Sequence, residues 1–237
     1  MRRKLHKMIG ITLLAAAELA TSAASASAEK YELSMGPVGR WLTSDSMRAV
    51  TSEEGQAGGS IGLAIAFDWL SIPLFDLYLD ATLEGGSIRG DTFQRIETET
   101  DLLHGMVGAR AQRRVLPHVS AFGRAAFGLA RVSLSLADTY SYATDDRIED
   151  RGLAGTTYAG AGLELDIQRR FGREKKKAIA FGLRAEAGYT AMTAVHMRAV
   201  PQDSDDGEVI RIATHSTGLG DLDLSAWNLR LAFFGRY

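Results

Sequence analysis

The segment Trp227-Asn228-Leu229-Arg230-Leu231-Ala232-Phe233-Phe234-Gly235-Arg236-Tyr237 decides the fold. Every second residue counted back from Tyr237 is large and apolar, apart from Gly235, whereas the alternate residues include both arginines. A period of two with one apolar and one polar face predicts a β-strand that lies between two different environments. An edge strand of a soluble sheet shows the same alternation, so the rest of the chain has to distinguish the two cases.

Seven earlier segments repeat this alternation of apolar residues with small or polar residues. They lie within 31–41, 60–69, 77–84, 103–112, 119–129, 159–168 and 179–189. Together with the last segment they predict eight strands, each close to the ~9–11 residues that a tilted strand needs to cross a membrane.

The connections between these segments alternate in length. Short ones are predicted at Ser71–Phe75, Arg113–Pro117 and Arg169–Lys177, and long ones near 43–57, 87–100, 137–153 and 192–223. The last two long loops are rich in acidic residues, whereas the short turns at 113–117 and 169–177 are basic. Short turns at one end and long loops at the other are typical of an up-and-down outer-membrane barrel.

Two of the predicted loops begin with strand-like sequence. Val132, Leu134 and Leu136 extend the fifth strand with a change of phase. Segments 195–200 and 209–213 flank a turn composition at 201–207, and each is too short to cross a membrane. We therefore predict a hairpin that projects above the bilayer, rather than a ninth and a tenth strand.

The amino terminus has the composition of a secretory signal peptide. Four basic residues within the first seven precede the apolar run Met8–Ala17, and Ala26-Ser27-Ala28 is a small-residue cleavage site, with Ala24-Ser25-Ala26 as an alternative. We predict a signal peptide at 1–28 and a single barrel domain at 29–237. Because cleavage removes four basic residues and Glu18, it would lower the formal net charge from −2 to −5.

Alternation alone does not say which face of the strands is inside the barrel. A soluble lipocalin-like barrel places the apolar face inwards, whereas an outer-membrane barrel places it against lipid. The polar face here consists of small residues with isolated charges, and its basic residues are arginine rather than lysine, which suits a buried network. Aromatic residues near the strand ends suit the lipid headgroup level.

We therefore predict a network of charged side chains inside the barrel. Eight strands leave an interior just wide enough for side chains, and buried charges need partners. The predicted network is Arg40, Asp68, Asp80, Glu84, Arg110, Arg124, Glu164, Asp166, Arg184, Glu186 and Arg230, with Glu32 as a further available acid. Such a network favours a plug over a channel lining, and the pairs within it are left open.

The chain resembles the small eight-stranded outer-membrane β-barrel family, the OmpA/OmpX-like group. The resemblance covers 29–237 and rests on the signal, the eight alternating segments, the loop asymmetry and the terminal aromatic residue. It implies an all-β, eight-stranded antiparallel up-and-down barrel in the outer membrane of a Gram-negative cell. Because the sequence stops at Tyr237, we expect no periplasmic domain. The resemblance also implies that Phe233 and Tyr237 form a signal for the barrel-assembly machinery, and that the partners include outer-membrane lipid and lipopolysaccharide.

No residue pattern supports catalysis strongly. The chain has no cysteine, so thiolate chemistry is excluded. His118 and Ser120 are the nearest to a base and nucleophile, but they lack an orienting group. His196 and His215 flank an acidic tip, and 203–207 lacks the distal glutamate of a calcium-binding EF-hand. We expect no catalytic residue, no metal and no cofactor.

Three functions remain open from the sequence. The first, which we favour, is a structural or surface-interaction barrel with a closed lumen and acidic extracellular loops. The second is a narrow pore or conduit for small hydrophobic molecules, and the third is a lipid A-modifying enzyme. A monomer is expected, and nucleic acid is not expected as a partner.

Overall fold

The computed structural model describes residues 31–44, 55–67, 75–92, 96–138, 147–169, 180–199 and 217–237. Regular structure in these ranges is entirely β. The strands are β1 (Tyr31–Leu42), β2 (Gly55–Ala66), β3 (Asp76–Thr92), β4 (Ile96–Leu116), β5 (Val119–Asp138), β6 (Arg147–Arg169), β7 (Ala180–Met192), β8 (Val195–Ala199), β9 (Thr217–Leu222) and β10 (Ala226–Arg236). The described ranges contain no helix long and apolar enough to span a membrane.

Eight of the ten strands close into one antiparallel barrel. Each of β1 to β7 pairs with its neighbour in sequence, and β10 pairs with both β7 and β1. The backbone of Tyr237 exchanges two hydrogen bonds with Tyr31, at 3.0 and 3.1 Å, and so completes the seam. The prediction of an all-β, eight-stranded antiparallel up-and-down barrel is confirmed.

The register of the ladders fixes the tilt of the strands. A row of paired residues that starts at Glu32 runs once around the barrel and returns to β1 at Leu42, ten residues further on. Its intermediate members are Ala64, Asp80, Gly108, Ala126, Tyr158, Thr190 and Ala226. With standard strand spacings, this shift corresponds to a tilt of about 40° from the barrel axis.

The apolar face of the strands lies on the outside. Phe127 is 68% exposed and Phe233 is 66% exposed, whereas Arg110 and Glu164 are each 1% exposed. Through the middle of all eight strands the odd-numbered residues face outwards and the even-numbered residues face the lumen. This arrangement excludes the lipocalin-like alternative, in which the apolar face would line the interior.

Strands β3 to β6 continue beyond the other strands, so two predicted loops are largely strand. Pairing continues to Thr92 and Ile96 on β3 and β4, and to Ala137 and Arg147 on β5 and β6. The loop predictions at 87–100 and 137–153 were therefore wrong for most of their length. The reason is that charged residues replace apolar ones on the outer face, so the alternation that identified the strands is lost although the ladder continues.

A second, two-stranded sheet lies outside the barrel. Strand β8 pairs with β9, so the predicted hairpin exists and adds no strand to the barrel. The strand that pairs with β8 is Thr217–Leu222, and the predicted arm at 209–213 lies outside the described residues. The sequence Thr-Gly-Leu-Gly-Asp-Leu was missed because two glycines weaken its strand propensity. The predicted signal peptide also lies outside the described residues.

Candidate functional site

The lumen of the barrel contains two clusters of ion pairs. The turn-side cluster is Glu32, Arg110, Glu164, Arg184 and Arg236. Arg110 donates two hydrogen bonds of 2.9 Å to the two carboxylate oxygens of Glu32. Arg184 donates to Glu164 at 2.7 Å and to Glu32 at 2.5 Å. Arg236 donates to Glu32 at 2.8 Å and also to Glu164. Three guanidinium groups therefore share two buried carboxylates.

The loop-side cluster consists of Arg40, Asp80, Glu84, Arg124, Glu186 and Arg230. Arg124 donates to Oδ1 of Asp80 through Nε at 2.9 Å and through Nη2 at 2.6 Å. Arg230 joins two carboxylates, since its Nε lies 2.6 Å from Glu84 and its Nη1 lies 3.3 Å from Glu186.

His104 ends the loop-side cluster. Nη2 of Arg40 donates to Glu84 at 2.9 Å and lies 2.8 Å from Nδ1 of His104. Because arginine has no acceptor, Nδ1 has to accept, and Nε2 then carries the proton and donates to Oγ1 of Thr156 at 2.6 Å. The completely buried imidazole is therefore neutral and oriented on both sides.

Charge is balanced among the paired lumen residues that the structure describes. Among the described residues the contacts join six arginines to six carboxylates: Arg40, Arg110, Arg124, Arg184, Arg230 and Arg236 to Glu32, Asp80, Glu84, Glu164, Asp166 and Glu186. Asp166 is peripheral, with Oδ1 3.8 Å from Arg236. Balanced pairing is what makes so many charges tolerable in a narrow interior.

Aromatic rings lie between the arginines and the barrel wall. The hydroxyl of Tyr158 lies where side chains at Gly160 and Gly188 would begin, 2.1 and 2.3 Å from the ideal Cβ positions. The guanidinium carbon of Arg230 lies 4.0 Å from the centre of this ring. Tyr158 therefore lies flat on two glycines and presents a face to the cation, an arrangement that favours both packing and the cation–π interaction.

Two phenylalanines repeat this arrangement at the turn-side cluster. The ring of Phe122 lies over Gly162 and that of Phe234 over Gly182, with closest distances of 2.6 and 2.3 Å to the ideal Cβ positions. Arg184 lies between the two rings, 5.5 Å from the centre of Phe122 and 5.3 Å from that of Phe234.

Little space remains between the two clusters. A cavity of about 30 Å³ is lined by side chains of both, including Arg110, Arg184, Arg124 and Arg230. That volume holds about two water molecules. The side chains of the two clusters therefore leave a small cavity between them.

An apolar core lies at the loop-side end of the described strands. Above His104 most inward positions of β3, β5 and β6 are apolar, whereas β4 contributes Leu102 and two buried threonines. Val195, Met197 and Leu222 of the β8–β9 hairpin belong to the same apolar cluster. The buried members are Leu42, Ile88, Leu102, Ala130, Val132, Leu134, Ala154, Met192, Val195, Met197, Leu222, Leu224 and Ala226. The change of phase predicted for the end of β5 thus places Val132 and Leu134 in this core.

Ten of the eleven charged residues predicted for the lumen have the contacts given above, and Asp68 lies outside the described residues. Sequence reasoning did not include Arg236 or His104 in the network, although both are even-numbered residues like the other inward-facing ones. Phe233 is exposed on the outer face, and the ring of Tyr237 lies 6.3 Å from that of Tyr31. Their role as an assembly signal stays a prediction.

The histidine pairs considered for catalysis or metal binding do not form a site within the described residues. His118 is exposed in the turn after β4, whereas Ser120 is buried in the lumen. His196 lies 2.9 Å from Asp221 on the exposed side of the hairpin, and His215 lies outside the described ranges. No group of three or more potential metal ligands occurs in the part of the chain that the structure describes.

Comparison with known proteins finds similarity among solved structures and no match to a protein family or a curated protein. Ail, the attachment invasion locus protein of Yersinia pestis, solved in complex with the heparin analogue sucrose octasulfate, is 11% identical over 89% of this chain and 99% of that chain, with a TM-score of 0.49. Neisserial surface protein A is 11% identical over 87% and 96%, with a TM-score of 0.47. The transport unit of the autotransporter AIDA-I from Escherichia coli is 10% identical over 90% and 91%, with a TM-score of 0.35. These values are too low to support an argument, so the fold assignment rests on the strand topology.

Proposed function

We propose that this chain is an outer-membrane β-barrel protein whose lumen is closed to ions and which acts through the surface at its loop-side end. The observation that carries the proposal is the inversion of the barrel, with charge inside and apolar residues outside. A soluble barrel with this arrangement would expose its apolar face to water. Contact between apolar surface and water is unfavourable in free energy, and folding normally buries such surface. Lipid around the barrel removes that cost.

The apolar outer face is continuous around the barrel. Exposed large apolar residues occur on all eight strands, and they include Met35, Ile65, Leu79, Val107, Phe127, Leu163, Leu183 and Leu231. Trp41 and Trp227 are exposed near the loop-side end, where Trp227 contacts Tyr189 edge-on with ring centres 5.2 Å apart. Aromatic residues at this position suit the boundary between lipid and water.

The filled lumen argues against transport. Both ion-pair clusters would have to break before ions could pass, and the apolar core above His104 adds a second barrier. The same core consists of buried apolar side chains, so it gives no support to a conduit for small hydrophobic molecules.

A surface role fits the part of the chain that projects beyond the apolar face. The outer faces of β3 to β6 carry charge there, whereas their inner faces are held by the hairpin. We propose a monomeric, non-enzymatic protein that contacts outer-membrane lipid and lipopolysaccharide and is inserted by the barrel-assembly machinery.

Cysteine labelling tests this proposal, because the chain has no cysteine of its own. A membrane-impermeant maleimide should label His196→Cys on intact cells. Arg114→Cys, near the end of β4 on the opposite side of the barrel, should be labelled only after the outer membrane is permeabilised. Phe127→Cys, on the apolar outer face, should stay unlabelled until the protein is unfolded in detergent. Labelling of Phe127→Cys in the folded protein would contradict the membrane assignment, and exchange of the first two results would reverse the topology.

A further inference from the structure

We infer that the outer faces of β5 and β6 form a binding site for the phosphate-bearing head group of an outer-leaflet glycolipid of the lipid A type, centred on Arg131 with Arg151 above it. The inference rests on the proposed outer-membrane location and specifies one lipid contact within it. The site lies where the apolar outer face ends and the charged extension begins.

The register places Arg131 at the membrane boundary. A row of paired residues joins Gly39 on β1 to Ser133 on β5 through Ala57, Ser87 and Asp101. A row of paired residues shifts by ten residues towards the loop-side end over eight strand steps. Over these four steps it therefore shifts by five residues. Position 128 of β5 is therefore level with Gly39, and Arg131 is level with position 42, one residue above Trp41. With a strand tilt of about 40°, one residue corresponds to about 2.5 Å of height.

Arg151 lies further from the membrane on the neighbouring strand. It pairs with Ser133, five strand steps from Gly39, and is therefore about four residues, or about 10 Å, above Trp41. The two arginines thus span the height of a lipid head group. Leu153, which is 72% exposed, lies opposite Arg131 and between the two heights.

Arg131 and Arg151 differ in their ion-pair partners. Arg89 and Arg151 on the same charged extension are paired with Glu99 at 2.8 Å and with Glu149 at 3.6 Å. Arg131 is exposed and has no ion-pair or hydrogen-bond partner among the residues that the structure describes. An unpaired guanidinium at the level of the head groups presents a planar set of donors that matches a phosphate.

The surroundings favour a glycolipid over a simple anionic phospholipid. Leu103, Leu129 and Leu153 flank Arg131 on three strands and provide an apolar surface for acyl chains. The carboxylates of Asp101 and Glu149 lie on the same outer face and would repel a layer of phosphates alone. A head group that carries both phosphates and sugar hydroxyls satisfies the arginines and the carboxylates together.

Native mass spectrometry of the purified barrel in a neutral detergent tests the inference. The probes are bisphosphorylated lipid A, the same lipid A after enzymatic removal of its phosphates, and phosphatidylglycerol. We expect bisphosphorylated lipid A to bind most tightly. Arg131→Gln should weaken this binding about tenfold, the loss expected for a charge-assisted contact. Arg151→Gln should weaken it less, because this side chain already has an acidic partner.

Arg89→Gln is the matched control, because Arg89 is an exposed arginine on the same extension but is held by Glu99. It should bind lipid A like the wild type, and Arg131→Gln should not change the weak binding of the dephosphorylated lipid. Equal binding of lipid A by the wild type and Arg131→Gln would overturn the inference, as would equal binding of the dephosphorylated lipid or of phosphatidylglycerol. Because the test uses purified protein, its failure would leave the membrane location, tested by labelling in cells, intact.

Discussion

At the scale of single residues, Glu32 is the most heavily shared group in the lumen. Its two oxygens accept hydrogen bonds from Arg110, Arg184 and Arg236, and its side chain is 2% exposed. Removing one partner of a buried ion pair leaves the remaining charge without compensation.

Replacing Glu32 with glutamine should therefore lower the free energy of unfolding by about 3–5 kcal/mol. Three arginines would then compete for Glu164 and the peripheral Asp166. The measurement is reversible urea unfolding in lipid vesicles, followed by tryptophan fluorescence. Glu99→Gln is the control, because Glu99 pairs with Arg89 on the exposed extension and should cost at most about 1 kcal/mol. Similar costs for both variants would contradict the buried-pair account.

Glycines under the lumen rings give a second test at this scale. A Cβ at Gly162 would lie 2.2 Å from the carbonyl oxygen of Ala185 and 2.6 Å from the ring of Phe122, whereas one at Gly123 meets no atom within 4 Å. Gly162→Ala should therefore destabilise the barrel by about 1–3 kcal/mol through overpacking. Gly123→Ala should be neutral, or stabilising by up to about 1 kcal/mol. The same unfolding experiment measures both, and a neutral Gly162→Ala would show that the ring is not seated on the glycine.

The sequence predicted which residues face the lumen but not which of them pair. Strand alternation alone places Glu32 and Arg110 on the inner face. Their contact joins β1 to β4 across the lumen, and it forms because the ten-residue shear brings them to nearly the same height. Shear is a property of all eight ladders together, so no single segment of sequence contains it.

At the scale of elements, the β8–β9 hairpin packs against the inner face of the extension formed by β3 to β6. Val195, Met197 and Leu222 face the core, whereas His196 is exposed. The alternation expected of a strand with one buried face is therefore present in the hairpin too.

Leu222→Ala should loosen this hairpin without unfolding the barrel. The substitution removes a fully buried side chain, which typically costs about 2–5 kcal/mol. Because the hairpin forms its own sheet, we expect the loss to appear as faster amide hydrogen exchange in β8 and β9, with little change in the barrel strands. His196→Ala should leave the exchange rates unchanged. Uniformly faster exchange in every strand would contradict a separately stabilised hairpin.

Strand ends were the least predictable part of the fold. In the barrel wall, an apolar outer face and a charged inner face impose a strict alternation that the sequence displays clearly. On the extension of β3 to β6 the outer face is polar, and residues such as Arg89, Asp101 and Arg151 have a composition that is also typical of loops. The inner apolar residues Val132 and Leu134 were the remaining signal for strand.

At the scale of the whole molecule, eight strands with a shear of ten residues enclose a lumen that side chains can fill. Charge inside, an apolar surface outside and an apolar core at the loop-side end are consistent with a rigid, closed barrel in a bilayer. The function we propose therefore depends on the outer surface and the projecting extension rather than on passage through the barrel.

Ion conductance across a planar bilayer tests this central claim most directly. Wild-type protein reconstituted at a known orientation and density should give current at the background level of the lipid, because two ion-pair clusters and an apolar core block the lumen. The barrel has to be shown folded in the same preparation, by its thermal unfolding transition. Large and stable single-channel steps from the folded wild-type protein would contradict a closed lumen.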